Sequence, residues 1–201
     1  TSVIDGSNYE GKVYGEIWGF TTDRLFQESD FDENGNLLPG IATQTYFENS
    51  GYKYKYGPGD VKYMDLDGNG EINWGDKTVE NHGDWSRIGN ATPRYEYNFK
   101  IGVDWKGIDL NIFFQGVGSR QYWATGSMMI PGWNFSEGTY YAHQTDYWTP
   151  ENTNAWYPRL AETNQPGQYS ASGFNFLCQT RYLLDMSYLR LKNITLGYSL
   201  P

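Results

Sequence analysis

Residues 65 to 76 read Asp-Leu-Asp-Gly-Asn-Gly-Glu-Ile-Asn-Trp-Gly-Asp. Asp65, Asp67 and Asn69 occupy positions 1, 3 and 5 of a twelve-residue calcium loop. Glu71 at position 7 would offer its backbone carbonyl, and Asn73 at position 9 a direct or water-mediated oxygen. Asp76 closes the loop at position 12, and Gly70 stands at position 6, where the turn is sharp. Calcium takes about six to eight oxygens at ~2.3–2.6 Å, and alternating side chains on a tight loop supply them. Two features depart from a paired EF-hand. The closing residue is Asp rather than Glu, and no helical pattern flanks the loop. The competing reading is an Asx-rich turn without an ion. The spacing favours calcium, with the task of stapling a long loop rather than catalysis, because an ion bound only to the folded form stabilises it.

Other chemistry is unmarked. The two histidines are His82 and His143. His143 lies near Asp146, but no Gly-x-Ser-x-Gly elbow accompanies it. Cys178 is the one cysteine, so no internal disulfide framework exists. Acidic residues are plentiful, yet no pair is set apart as a hydrolytic couple. The chain therefore reads as no enzyme. With 15 Lys and Arg against 24 Asp and Glu, its formal charge is −9, which argues against nucleic acid, whose phosphates need a basic patch. Trp123, Trp133, Trp148 and Trp156, all in the second half of the chain, are the candidates for stacking on a ligand.

The elements that must hold these groups are strands. Helical periodicity never lasts beyond two turns. From Tyr95 to Trp105 every odd position is apolar or aromatic and every even one polar or Gly. That alternation places all the apolar groups on one face. Eleven residues fit the ~9–11 of a tilted transmembrane β-strand, with aromatics at both ends and aliphatics between. A strand of a soluble sandwich also alternates, but averages ~5–6 residues. Lys106-Gly107 reads as a tight turn into a second alternating run, 108–117. The last strand, 188–200, changes parity between Leu191 and Ile194, which predicts a bulge near Lys192-Asn193. A weaker strand covers 11–20. Two excursions, 21–92 and 118–187, far exceed ordinary loops. In an up-and-down meander both fall on one side and the short turn on the other, as in outer-membrane barrels. Thr1 is followed by no charged and then apolar leader pattern, and the chain stops inside a strand-like run, so a segment of a longer protein is expected.

Several runs together resemble one family. Pro58-Gly59-Asp60-Val61-Lys62-Tyr63-Met64-Asp65-Leu66-Asp67-Gly68-Asn69-Gly70 is similar to a stretch of SusC/RagA-type TonB-linked outer-membrane proteins. So are Tyr14 to Phe20, Ile88-Gly89-Asn90-Ala91-Thr92-Pro93-Arg94-Tyr95, and Phe113-Phe114-Gln115-Gly116. The same holds for Trp148-Thr149-Pro150-Glu151-Asn152, for Tyr157-Pro158-Arg159-Leu160, and for Tyr188 to Tyr198 (YLRLKNITLGY). These runs follow the family's order from about residue 11 to the end. The resemblance implies a 22-stranded barrel with an N-terminal plug, embedded in outer-membrane lipid. It implies import of oligosaccharides or peptides under a SusD-like surface lipoprotein lid, with TonB as the energy source. The plug and the TonB box are not in this stretch.

The expectation is an all-β chain, residues 1–201, forming an antiparallel meander of a transmembrane β-barrel. Its strands would cover about 11–20, 94–105, 108–117 and 188–200, with extracellular loops 21–92 and 118–187. The alternative is a secreted, calcium-stabilised β-rich module that binds glycans. It accounts for the metal loop, acidity and aromatics, but not for the eleven-residue alternation or the ordered motifs.

Overall fold

The computed structural model describes residues 4, 8–45, 55–126, 128–129, 131, 140–160 and 174–200. Among them the named elements are nine strands and three 3-10 turns. The strands are β1 Glu16–Phe20, β2 Thr22–Leu25, β3 Val61–Tyr63, β4 Trp85–Asn90 and β5 Tyr95–Trp105. They continue with β6 Ile108–Gly118, β7 Gln121–Trp123, β8 Leu183–Asp185 and β9 Tyr188–Tyr198. The fold is all-β. β5, β6 and β9 form one three-stranded sheet, and β1 with β4, β2 with β3 and β7 with β8 form two-stranded ones. The sheets among the described residues are open and close no barrel. No described helix is long and apolar enough to cross a membrane, which leaves strand-built spans unaddressed.

The chain divides into two compact units. Val13–Ile17, Gly89–Trp123 and Leu183–Pro201 make up one, and Thr1–Lys12, Trp18–Ile88 and Ala124–Tyr182 the other.

The first unit is built on the β5–β6–β9 sheet. Lys106 and Gly107 both take positive φ, 49° and 84°, the pair of left-handed residues that a two-residue hairpin turn matched to strand twist demands. From that turn β5 and β6 pair without a break from Trp105↔Ile108 to Tyr95↔Gly118. β9 lies antiparallel on the other edge of β6, and its register skips Lys192 between Asn193↔Phe113 and Leu191↔Phe114. The bulge puts Leu189 and Leu191 on the same face as Ile194, Leu196 and Tyr198, because one extra residue shifts the period-2 alternation by one. Read across the strands, the rows are Phe99-Phe114-Leu191, Ile101-Ile112-Ile194, Val103-Leu110-Leu196 and Trp105-Ile108-Tyr198. Every row is apolar. The opposite face carries Asn98-Gln115-Arg190, Lys100-Phe113-Asn193 and Gly102-Asn111-Thr195. The apolar face is open: Val103 is 53% and Leu196 71% exposed. β7 and β8 lengthen the β6–β9 arm beyond Ser119, whose φ is 50°.

The expected first strand, 11–20, is shortened to Glu16–Phe20 and pairs with β4. Tyr14 and Gly15 form a turn instead. Gly15 sits at φ 78° with the Thr92 and Asn90 side chains where a Cβ would project, and left-handed backbone there ends the extended run.

The second unit holds the two long excursions, which fold together around one core. Phe20, Leu25, Phe26, Tyr56, Val61, Tyr63, Ile72 and Trp148 are buried there with Tyr157, Phe176 and Tyr182. Burying such side chains contributes about 1.5–3 kcal/mol each before entropy is subtracted. Among the described residues of this unit the first excursion carries the short strands β2 and β3.

Candidate functional site

The acidic loop lies directly after β3. Asp65 caps the turn with both oxygens: Oδ1 accepts from the Gly68 amide at 2.7 Å and Oδ2 from the Gly70 amide at 2.9 Å. Asp67 Oδ1 accepts from the Asn69 amide, and Asn69 Oδ1 from the Glu71 amide at 2.7 Å. This chain of Asx turns follows from alternating Asp and Asn with Gly at left-handed positions; Gly68 and Gly70 have φ of 75° and 83°. The far side of the loop is pinned to residues 43–45. The Thr43 amide donates to Gly70 O, the Ile72 amide donates to Thr43 O, and Thr45 Oγ1 donates to Glu71 Oε1. Ile72 is fully buried and anchors the loop in the core.

The structure brings Asp65 and Asp67 together with Asp84, one carboxylate oxygen of each lying within 4.8 Å of the others. Asp84 was not signalled by the spacing, because it stands outside the twelve-residue window, just before β4. Its side chain is fully buried. Oδ1 accepts from the Leu66 amide at 2.6 Å and Oδ2 from the Asn73 amide at 2.9 Å, so it ties the two ends of the loop. Burial pushes its carboxyl above the usual range, and the Asp67 charge adds to the effect, against the pull of the two amides. Asn73 and Asp76 engage other partners: Asn73 Oδ1 accepts from the Gly75 amide, and Asp76 Oδ2 from Asn81 Nδ2. Three converging carboxylates, one of them buried, are hard oxygen donors of the kind that suits a divalent cation such as calcium. The residues fit such an ion.

A second constellation joins the two excursions. Asp60, fully buried, accepts from Arg159 Nε at 3.0 Å and Nη2 at 2.9 Å, a bidentate fork. It also accepts from Asn175 Nδ2 at 2.8 Å and from the Gly57 amide at 2.8 Å. Gly59 has φ 87°, and a Cβ there would lie 2.5 Å from Trp148 Cε3. The Gly59 amide donates to Phe26 O, and Gly59 O accepts from the Arg159 amide. Buried Gln44 brackets β3, donating to Val61 O and accepting from the Tyr63 amide. Gln179 donates to Tyr63 Oη and accepts from Thr22 Oγ1. The Pro58-Gly59-Asp60 and Tyr157-Pro158-Arg159 runs are thus two halves of one clasp, a pairing that their separation in sequence conceals.

Three of the four candidate tryptophans lie among the described residues. Trp123 ends β7. Trp148 is 7% exposed against Gly59, and its Nε1 has no hydrogen-bond partner among the described residues. Trp156 is 50% exposed, with the Arg181 guanidinium 5.1 Å from its ring centroid and Tyr182 edge-on at 5.9 Å. Trp133 lies outside the described residues. Cys178 is half-buried, and burial pushes its thiol up to about 12. His143 Nε2 faces Met128 O at 2.6 Å rather than a nucleophile.

No protein-family model matches the chain. Over 193 residues, 96% of the chain, it is 30% identical to TonB-dependent receptor P3 of Formosa agariphila. Over 204 residues, 98% of the chain, it is 28% identical to TonB-dependent receptor P26 of the same organism. It spans 16% and 18% of the lengths of these relatives. The chain is therefore similar, over almost its whole length, to one stretch of two TonB-dependent receptors.

Proposed function

We propose that the chain is a barrel-and-loop segment of a TonB-dependent outer-membrane transporter of the SusC/RagA type. The observation that carries this reading is the β5–β6–β9 sheet. Its apolar face is exposed along eleven residues, with Tyr95 and Tyr97 at one end, Trp105 and Tyr198 at the other, and aliphatics between. Eleven residues tilted by about 40° span about 25 Å, the height of an outward-facing lipid band. The other face is mainly polar, as a barrel lumen requires. In this reading the unit made of the two excursions stands on the extracellular side and captures oligosaccharides or peptides beneath a SusD-like lipoprotein. TonB acts through a part of the protein outside this chain. Calcium, held by Asp65, Asp67 and Asp84, staples the first excursion. No covalent step is assigned to any residue.

The test uses spin labels placed singly in the full-length protein in its membrane. Labels at Tyr97, Phe99, Ile101 and Val103 are expected to be reached by a lipid-soluble quencher, and labels at Asn98 and Lys100 by a water-soluble one. Access of only the water-soluble quencher to the odd positions overturns the barrel reading.

A further inference from the structure

The β5–β6–β9 sheet contains four glycines, Gly102, Gly116, Gly118 and Gly197. A glycine inside a strand weakens it, and often marks a place where another group approaches the bare backbone. Here each glycine is met by the side chain directly opposite. Gly118 faces Tyr95, Gly116 faces Tyr97, Gly102 faces Asn111 and Gly197 faces Asp109. A Cβ on Gly116 would overlap the Tyr97 ring, with Oη 2.5 Å away, and one on Gly118 would overlap the Tyr95 ring, again with Oη at 2.5 Å. On the polar face, a Cβ on Gly197 would lie 2.8 Å from Asp109 Cγ, and one on Gly102 3.3 Å from Asn111 Oδ1. The two tyrosines therefore lie across β6 where it has no side chain. Tyr97 Oη ends 3.5 Å from Tyr188 O, so this one ring starts on β5, crosses β6 and reaches β9.

This arrangement answers a question that the alternation leaves open. A one-residue slip of β6 along β5 would turn every apolar group to the wrong face, so the pattern forbids it. A two-residue slip returns every group to its own face, and the pattern is silent. The hairpin turn fixes the register at Trp105↔Ile108, and the tyrosine–glycine pairs stand at the opposite end, where Tyr95↔Gly118 is the last pair. Slid by two residues one way, β6 would set Phe114 against Tyr97. Slid the other way, it would set Arg120 against Tyr95. In each case one ring loses the bare backbone on which it lies. Only the observed register gives both rings a glycine.

We propose that Tyr95 and Tyr97, with Gly118 and Gly116, form a register lock. It holds the end of the β5–β6 hairpin far from the turn in a single pairing and, through Tyr97, seats the start of β9 on β6. The lock goes beyond the transporter reading and does not depend on it, since every contact lies within one sheet and its test needs neither lipid access nor transport.

The test is a double-mutant cycle in the full-length protein in detergent, read as amide hydrogen exchange of residues 95–105 and 108–118, which reports local opening. Tyr97→Ala is expected to speed that exchange about fivefold, the upper end for one cross-strand pair. Gly116→Ala is expected to speed it as well while the tyrosine is present, because the new methyl displaces the ring. With Tyr97→Ala already made, the sign reverses: Gly116→Ala then slows exchange about two- to fivefold, the ordinary advantage of Ala over Gly in a strand. Tyr97→Phe keeps the ring and is expected to stay close to wild type in these segments. A Gly116→Ala protein that fails to fold, but folds once Tyr97→Ala is added, is the same reversal in stronger form. An effect of Gly116→Ala that is the same in both backgrounds, or failure of both proteins to fold, overturns the lock. Loss of the sign reversal in a protein that still passes the lipid-quencher test removes the lock and leaves the transporter reading standing.

Discussion

Asp60 is the residue on which the loop unit turns. A carboxylate with no solvent exposure survives burial only when its charge and lone pairs are met, and Asp60 meets four donors from three separate segments. Removing one partner of a buried pair costs about 3–5 kcal/mol, because the other charge stays behind. Asp60→Ala removes the ion pair with Arg159 and the acceptor of the Asn175 amide and the Gly57 N–H. It is expected to open both excursions to protease in the intact protein. Arg159→Lys keeps the charge but loses the two-pronged geometry, so an intermediate effect is expected. Equal sensitivity of Asp60→Ala and wild type would show that the clasp adds nothing. Arg24 and Asp30 repeat the device on a smaller scale, with both bonds at 2.6 Å. The Arg24 side chain, through its hydrogen bonds, holds the Asp30 carboxyl below the usual range, against the cost of burial. That contribution is present above the ordinary aspartate pKa and is lost as pH falls through the lowered one.

At the scale of elements, the bulge at Lys192 shows what one residue does to a strand. Leu189 and Leu191 stand at odd positions, and Ile194, Leu196 and Tyr198 at even ones, yet all five share a face because Lys192 has no partner on β6. Deleting Lys192 leaves Leu191 and Ile194 two positions apart, which is the regular spacing for one face. The deletion is therefore expected to preserve outer-membrane assembly, read as heat-modifiable migration on a gel. Deleting Thr195 instead turns Leu196, Tyr198 and Leu200 to the polar face while the bulge remains, and is expected to abolish assembly. The reverse result would mean that the bulge is not what reconciles the two halves. This bulge, the two-residue turn and the three long strands were all legible in the sequence, because period-2 alternation and a Gly after a turn residue are local signals. The pairing of β1 with β4 was not, since the 11–20 pattern was blurred by Gly15 and Gly19. The short strands inside the excursions left no periodicity to read. Two of the three converging carboxylates, Asp65 and Asp67, were legible from their spacing. Asp84 was not, because its place beside Asp65 and Asp67 is set by the fold of the intervening chain. The clasp was hidden for the same reason: Asp60 and Arg159 sit in recognisable runs, but nothing in either run names the other.

At the scale of the molecule, the transporter reading gives the two compact units different solvents. An apolar sheet face left open has no place in water over such an area, whereas the other unit has its own buried core and a web of buried amides. The outer edges of β5 and β9 have no strand partner among the described residues, and unpaired edges are not tolerated in lipid. The chain spans about a sixth of its relatives, and pairing of those edges by further strands is what the transporter reading requires. Calcium provides the test of whether the excursions act as one body. The acidic loop begins two residues after β3, and β3 is bonded to Asn175 and Gln44, while the preceding Asp60 is bonded to Arg159. An ion at about 100 times its Kd stabilises the folded form by about 2.7 kcal/mol, roughly a hundredfold in the population of the opened state. Where opening is fast, cleavage follows that population. Chelation of the intact protein is therefore expected to raise cleavage in residues 60–90 and, through the clasp, around residues 148–160 as well. Asp65→Ala with Asp67→Ala should show that raised cleavage before chelation and no further rise after it. New cuts confined to 60–90 would mean that the staple holds one loop alone, and chelation without effect would remove the ion from the account.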